Sequence, residues 1–294
     1  MASRFGLSVA LTTPFEASGQ IAIAPMVAQA RACLGAGCSS ATLFGTTGEG
    51  PSVGTGERRT VTEAMLAAGI PAHQLVAGVL VDAAEDAAEQ ARHALQCGVR
   101  YILLAPPSYF KNVGEDGLFG WFSAVFAALG PLARGVLLYN IPSVTMVPLP
   151  LSLIGRLRAA FPGVVAGVKD SGGDWSYSKA LLRAHGDLVI LIGDERHLAR
   201  SVRQGGQGAI SGMANFVTGE IRAMAEDGRD DARVERFVLE LLKYPVIPAV
   251  KVMVARKTGD ERWLAVRPPL EPIDSQGRQQ LAAAYDRLFA TEPA

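Results

Sequence analysis

Short runs of β-branched and apolar residues alternate along most of the chain with longer stretches in which apolar positions recur every three or four residues. Runs at 7–11, 41–44, 75–80, 101–104, 136–139, 164–169, 189–192 and 209–211 read as eight strands. Stretches at 25–35, 56–68, 83–97, 115–129, 149–161, 174–184 and 195–204 carry the helical period, several opening after Asp, Thr or Pro and closing near Gly. Repeated βα units imply parallel strands joined by right-handed crossovers. Eight such units within roughly 220 residues predict an α/β fold, a closed (β/α)8 TIM barrel rather than an open sheet.

After about Gly219 the strand runs stop, and 230–244, 247–257 and 276–289 read as helices separated by breaks at Pro245, Pro248, Pro268 and Pro269. The expected organisation is a catalytic barrel over 1–224 with a helical extension over 225–294 packed on it. No low-complexity linker divides the two.

Composition narrows the partners. With 28 basic and 28 acidic residues the formal charge is zero, so no overall field favours nucleic acid or an anionic membrane. No apolar stretch approaches the ~20 residues that span a bilayer, and Thr12, Thr13 and Pro14 interrupt the N-terminal apolar run. Cys33, Cys38 and Cys97 form no CxxC pair and sit in apolar or Gly-rich surroundings, which reads as buried thiols in a reducing cytoplasm. The four histidines show neither HxH nor HExxH spacing, so no metal is assigned. A small-molecule substrate is expected.

In a barrel of this type the chemistry sits at the C-terminal ends of the strands. Lys169 is the only one of six lysines that ends a strand-like run, Val164 to Val168. With a period of two it shares a face with Gly167 and Val165, and the absent side chain at Gly167 is expected to leave room for a substrate. A desolvated lysine there can attack a carbonyl as the neutral amine. A strand-end lysine paired with Asp170, or reaching out to water, fits position alone equally well.

Gly45-Thr46-Thr47-Gly48-Glu49 follows the second strand, and backbone N–H groups in such a turn can hold a carboxylate. An ordinary turn with hydroxyl caps reads the same way. Tyr139, at the end of the fifth strand, can relay protons or simply occupy the rim, and Tyr109 after Pro106-Pro107 is open to the same two readings.

Together these strand ends resemble the dihydrodipicolinate synthase and N-acetylneuraminate lyase family of class I aldolases. The resemblance runs through Leu11 to Phe15, Gly45 to Glu49, Glu57-Arg58, Pro107 to Phe110, Tyr139 to Pro142, Gly167 to Asp170 and Gly205 to Ser211, about residues 5 to 225. It implies that Lys169 forms a Schiff base with a 2-keto acid such as pyruvate, that Tyr139 shuttles protons, and that Thr46 and Tyr109 complete a hydroxyl relay. Tyr109 is implied to reach into a neighbouring subunit of a dimer or tetramer. Thr47, Gly48 and nearby backbone are implied to hold the carboxylate, and Ile210 to line the site. No separate cofactor is required, because the lysine imine is itself the electron sink.

Two departures bear on the second substrate. Val144 stands where the synthases of the family carry an arginine for a second carboxylate, with Met146 where glycine is usual. After the seventh strand, Glu195-Arg196 stands where sialic-acid lyases carry two acids. The expectation is therefore a lyase acting on a keto-deoxy sugar acid whose distal end reaches Arg196. A 4-hydroxy-tetrahydrodipicolinate synthase proper, a keto-deoxy sugar acid dehydratase and a non-catalytic keto-acid-binding barrel are the alternatives.

Overall fold

The computed structural model describes residues 4–289. Eight parallel strands close into a barrel in sequence order: β1 Gly6–Ala10, β2 Ser40–Leu43, β3 Leu75–Val79, β4 Tyr101–Leu104, β5 Val136–Asn140, β6 Val165–Asp170, β7 Val189–Ile192 and β8 Gly208–Ser211. Closure is made by β1 lying parallel to β8, with Leu7 opposite Ala209 and Ser8 opposite Ile210.

Strand alternation sorts the apolar side chains into two cores. Val76, Leu103, Leu137, Tyr139, Leu191 and Ile210 fill the barrel interior. Leu7, Leu43, Ile102, Leu138, Val168 and Ile190 face outward and meet the surrounding helices. At β6 the alternation slips, because Val136 pairs with Val165 while the next residue, Leu137, pairs with Gly167. The extra residue turns Ala166 toward the interior and Val165 toward the outer core. Val165 therefore does not share the Lys169 face, contrary to a strict period of two.

Gly167 has a different purpose from the one its sequence position suggests. A Cβ there would strike the Val189 carbonyl oxygen and come within 2.8 Å of Leu137 Cδ2. The missing side chain lets strands approach, and leaves no space for a ligand.

The longest helix missing from the sequence reading is Thr218–Asp227, which follows β8 and buries Ile221, Met224 and Ala225. Its apolar positions are few and its polar ones many, so its period is weak. The expected boundary between 224 and 225 falls inside it. The helices Ala232–Leu241, Val246–Thr258 and Ser275–Phe289 come next. Phe216, just after β8, stacks edge-on with Phe237 at 5.9 Å and Tyr285 at 6.2 Å, so the C-terminal helices share the barrel's outer core.

Cys33 and Cys38 are buried and free, whereas Cys97 is only half-buried. Among the described residues, no helix is long and apolar enough to cross a membrane.

Candidate active site

Register brings the first two candidate side chains together. Tyr139 on β5 pairs with Lys169 on β6, and both point into the barrel at its C-terminal end. Lys169 Nζ donates to Tyr139 Oη at 3.3 Å, and Tyr139 Oη shares a hydrogen bond with Thr46 Oγ1 at 3.2 Å. Lys169 is 6% exposed.

Asp170 does not neutralise this amine, since it lies one residue on and so faces outward. Its carboxylate accepts from Asn140 Nδ2 and the Gly172 N–H, both at 2.9 Å, and from Ser178 Oγ at 2.5 Å. The pairing of Lys169 with Asp170 is thereby removed, and the amine opens onto a cavity instead of reaching out to the surface. Gly193 at the end of β7 contributes by absence, because a Cβ there would crowd Lys169 Cε at 3.1 Å.

The turn after β2 is held from behind. Arg58, 5% exposed, donates to the Val53 carbonyl at 3.0 Å and to those of Gly50 and Gly78 at 2.6 Å, and its guanidinium lies over the Phe44 ring. Burial pushes this guanidinium down to about 10. The N–H groups of Gly48, Glu49 and Gly50 close the turn onto the carbonyls of Gly45 and Thr46 at 3.0–3.1 Å. Among the described residues those of Thr46 and Thr47 meet no acceptor. An unpaired N–H pair in such a turn is able to take an anion such as a carboxylate.

One cavity of about 350 Å³ collects Thr46, Thr47, Tyr139, Val144, Lys169, Arg196 and Ile210. Gly48 stays behind the turn, where a Cβ would meet the Leu11 carbonyl oxygen at 2.7 Å. Tyr109 does not join either. It is 77% exposed, stacked edge-on against Phe110, with its N–H on Asp82 Oδ1 at 2.8 Å.

At the rim, Arg196 lies alongside Asp194, with Nε to Oδ1 at 2.9 Å and Nη2 to Oδ2 at 2.6 Å. Burial works to raise the Asp194 carboxyl, but the hydrogen bonds and charge of Arg196 prevail and hold it below its usual range. Val144 is 59% exposed, and Met146 adopts the left-handed conformation at φ 57°, which accounts for the glycine usual there.

Sequence reasoning named Glu195 only as half of the Glu195-Arg196 pair and gave it no role of its own. It lines the cavity, is 8% exposed, and accepts from Ser211 Oγ at 2.5 Å. Burial pushes its carboxyl up, and nearby Asp194 adds to this, against the Ser211 hydrogen bond and the Lys169 charge. Also overlooked was the apolar wall, Val238, Leu241, Leu242, Val246, Ile247 and Val250, contributed by the C-terminal helices. Their amphipathic period signalled packing but not what they pack around.

The dihydrodipicolinate synthetase family model matches residues 4–288. The chain belongs to that family. Members of the dihydrodipicolinate synthetase family are Schiff-base lyases on a TIM barrel, pyruvate-dependent through a lysine, and this protein is accordingly an enzyme of the lyase class. A crystal structure of dihydrodipicolinate synthase from Agrobacterium tumefaciens is 61% identical, superposes with a TM-score of 0.96, and is matched over 97% of this chain and 100% of its own. An uncharacterised DapA-like lyase of Chloroflexus aurantiacus is 33% identical over 99% of both chains. A 4-hydroxy-tetrahydrodipicolinate synthase of Sorangium cellulosum is 31% identical, over 98% of this chain and 97% of its own.

Proposed function

We propose that this family member binds pyruvate, or the pyruvyl end of a keto-deoxy sugar acid, as a Schiff base on Lys169 and makes or breaks the adjacent carbon–carbon bond. The observation that carries this reading is a buried amine with no carboxylate partner, 3.3 Å from a phenol that itself touches Thr46. The free N–H groups of Thr46 and Thr47 take the keto acid's carboxylate and place its C2 carbonyl against Nζ. Attack by the Nζ lone pair gives a carbinolamine, and loss of its hydroxyl as water gives a protonated imine. That imine accepts the electron pair released when the C3–C4 bond breaks or a C3 proton leaves. Tyr139 supplies and removes protons at the carbinolamine oxygen and at the departing aldehyde oxygen, with Thr46 next in line. Tyr109, standing out from the surface, completes the relay in a neighbouring subunit.

The cations of the cavity are Lys169 and Arg196. One becomes the imine and the other is already paired with Asp194, so neither is free for a second substrate carboxylate. The Asp194–Glu195–Arg196 rim is a set of hydrogen-bond donors and acceptors suited to hydroxyl groups, which favours a sugar acid. The names of the relatives favour a second reading, condensation of pyruvate with aspartate semialdehyde.

Pyruvate with borohydride is expected to inactivate the enzyme and add a reduced pyruvyl group at Lys169, read by peptide mass. Labelling elsewhere, or none, ends the Schiff-base reading. The substrate readings separate on kcat/KM for aspartate semialdehyde set beside keto-deoxy acids, in wild type and Val144→Arg. The variant is expected to improve the semialdehyde by about ten- to a hundredfold, the worth of a charge-assisted carboxylate contact. A wild type that already condenses it as efficiently as a dedicated biosynthetic enzyme makes the protein a synthase proper.

A further inference from the structure

Glu49 ends the turn that carries Thr46 and Thr47, in the left-handed conformation at φ 54°. Its side chain and that of Lys251 are both 0% exposed, and Lys251 Nζ donates to Glu49 Oε1. The other oxygen, Oε2, accepts the backbone N–H of Arg267 at 3.0 Å. Lys251 lies over the Phe15 ring at 4.5 Å. The Arg267 guanidinium caps the same ring, bonds Glu57 Oε2 and the Ser52 carbonyl at 2.8 and 2.7 Å, and is part-exposed. None of these groups takes part in the chemistry proposed above.

A buried ion pair of this kind contributes little net stability, because desolvation of both ions offsets most of their attraction. What it can supply is a fixed geometry. Both carboxylate oxygens of Glu49 are committed, and both partners lie in the C-terminal segment, some two hundred residues away in the chain. One end of the clamp sets the turn whose Thr46 and Thr47 line the cavity with Lys169. The other end sits beside Val250, Ile247 and Val246, which form the opposite wall of the cavity.

We propose that Glu49, Lys251 and Arg267 form a positioning clamp for the keto-acid carboxylate subsite, fixing the Thr46–Thr47 N–H groups relative to Lys169. The inference rests on the reading of that turn as the carboxylate site. The clamp sets how well pyruvate binds, not how fast the bound imine forms. A turn whose N–H groups swing out of line loses most of one charge-assisted contact, so half-saturation by pyruvate rises about tenfold.

The test measures borohydride trapping against pyruvate concentration in wild type, Glu49→Gln/Lys251→Met and Arg267→Met, alongside thermal melting. The double variant removes both charges together and leaves none buried alone, so it is expected to melt near wild type. Its half-saturating pyruvate concentration should rise about tenfold while the trapping rate at saturation stays close to wild type. Arg267→Met, at a part-exposed position, keeps the backbone N–H on Glu49 and releases the guanidinium's hold on the Ser52 carbonyl just beyond the turn. It should therefore shift half-saturation in the same direction by less, and it decides the matter should the double variant fail to fold. A folded variant with wild-type half-saturation overturns the clamp and leaves the Schiff-base reading intact. A wild type that forms no adduct removes both.

Discussion

The centre of the barrel mouth and the seam between the β2 turn and the C-terminal helices each bury a lysine above an aromatic ring. Lys169 lies 4.4 Å from the Tyr139 ring centroid and Lys251 lies 4.5 Å from that of Phe15. Their neighbours differ in one decisive respect. Lys251 donates to one oxygen of a buried carboxylate, and burial still pushes it down to about 8. Lys169 faces a phenol, and the nearest carboxylate in sequence, Asp170, is turned away and occupied. Burial therefore does not by itself mark a nucleophile. What sets Lys169 apart as the candidate nucleophile is burial beside an open cavity with no carboxylate in salt-bridge contact among the described residues.

The sharpest test of that difference exchanges each lysine for methionine. Lys169→Met is expected to abolish pyruvate trapping altogether and to leave the melting temperature near wild type, because an unpaired amine is replaced by an apolar chain of similar length. Lys251→Met is expected to keep some trapping but to lose about 3–5 kcal/mol of stability, since it strands the Glu49 carboxylate in the interior. Denaturant melts and adduct mass, read on both variants, check the pair. Comparable stability losses in the two would mean that Lys169 is held by an interaction as strong as the Glu49 pair.

Next in size is Tyr139→Phe, which keeps the ring and removes the hydroxyl linking Lys169 to Thr46. Turnover should fall by about 100-fold, the scale for a positioned acid–base group, with pyruvate half-saturation little changed. Single-turnover kinetics separate the two. Unchanged turnover would transfer the proton step to water.

Much of this was readable from the chain because the fold is periodic. Eight apolar runs and their intervening helical stretches appear in the structure, most within a residue or two of the expected limits. The proximity of Lys169, Tyr139 and Thr46 was legible because each ends or follows a strand, and the barrel converts that local fact into one shared cavity. Three things were not legible. The bulge at Ala166 depends on pairing between β5 and β6, which no single run reveals. The Gly167 approach depends on the position of the Val189 carbonyl. The Glu49–Lys251 pair joins residues separated by 202 positions, and Lys251 sits in a helix whose pattern gives no sign of an acid opposite.

Glu195 gives the smallest effect, and it tests the comparison from the side of the acid. Like Glu49 it is a buried carboxylate near a lysine, but its hydrogen-bonding partner is the neutral Ser211. Burial, with Asp194 beside it, raises its carboxyl above the ordinary 4.5. A group raised on folding contributes stability that is fully present below the unfolded value and is lost as pH climbs through the folded one. The contribution of Glu195 is therefore largest near pH 4 and declines above it. Glu195→Gln keeps an oxygen to accept from Ser211 and cannot ionise, so it should match wild type in acid and become the more stable of the two toward neutral pH. Melting temperatures of both proteins from pH 4 to 8 give the difference curve. Pyruvate trapping at Lys169 should persist in the variant, because Glu195 lines the cavity without touching the Lys169–Tyr139–Thr46 chain. A difference curve of the opposite slope would mean that the charged form is the one the fold prefers, held by Lys169 across the cavity, and the contrast between a paired and an unpaired buried lysine would then have to be redrawn around that pair.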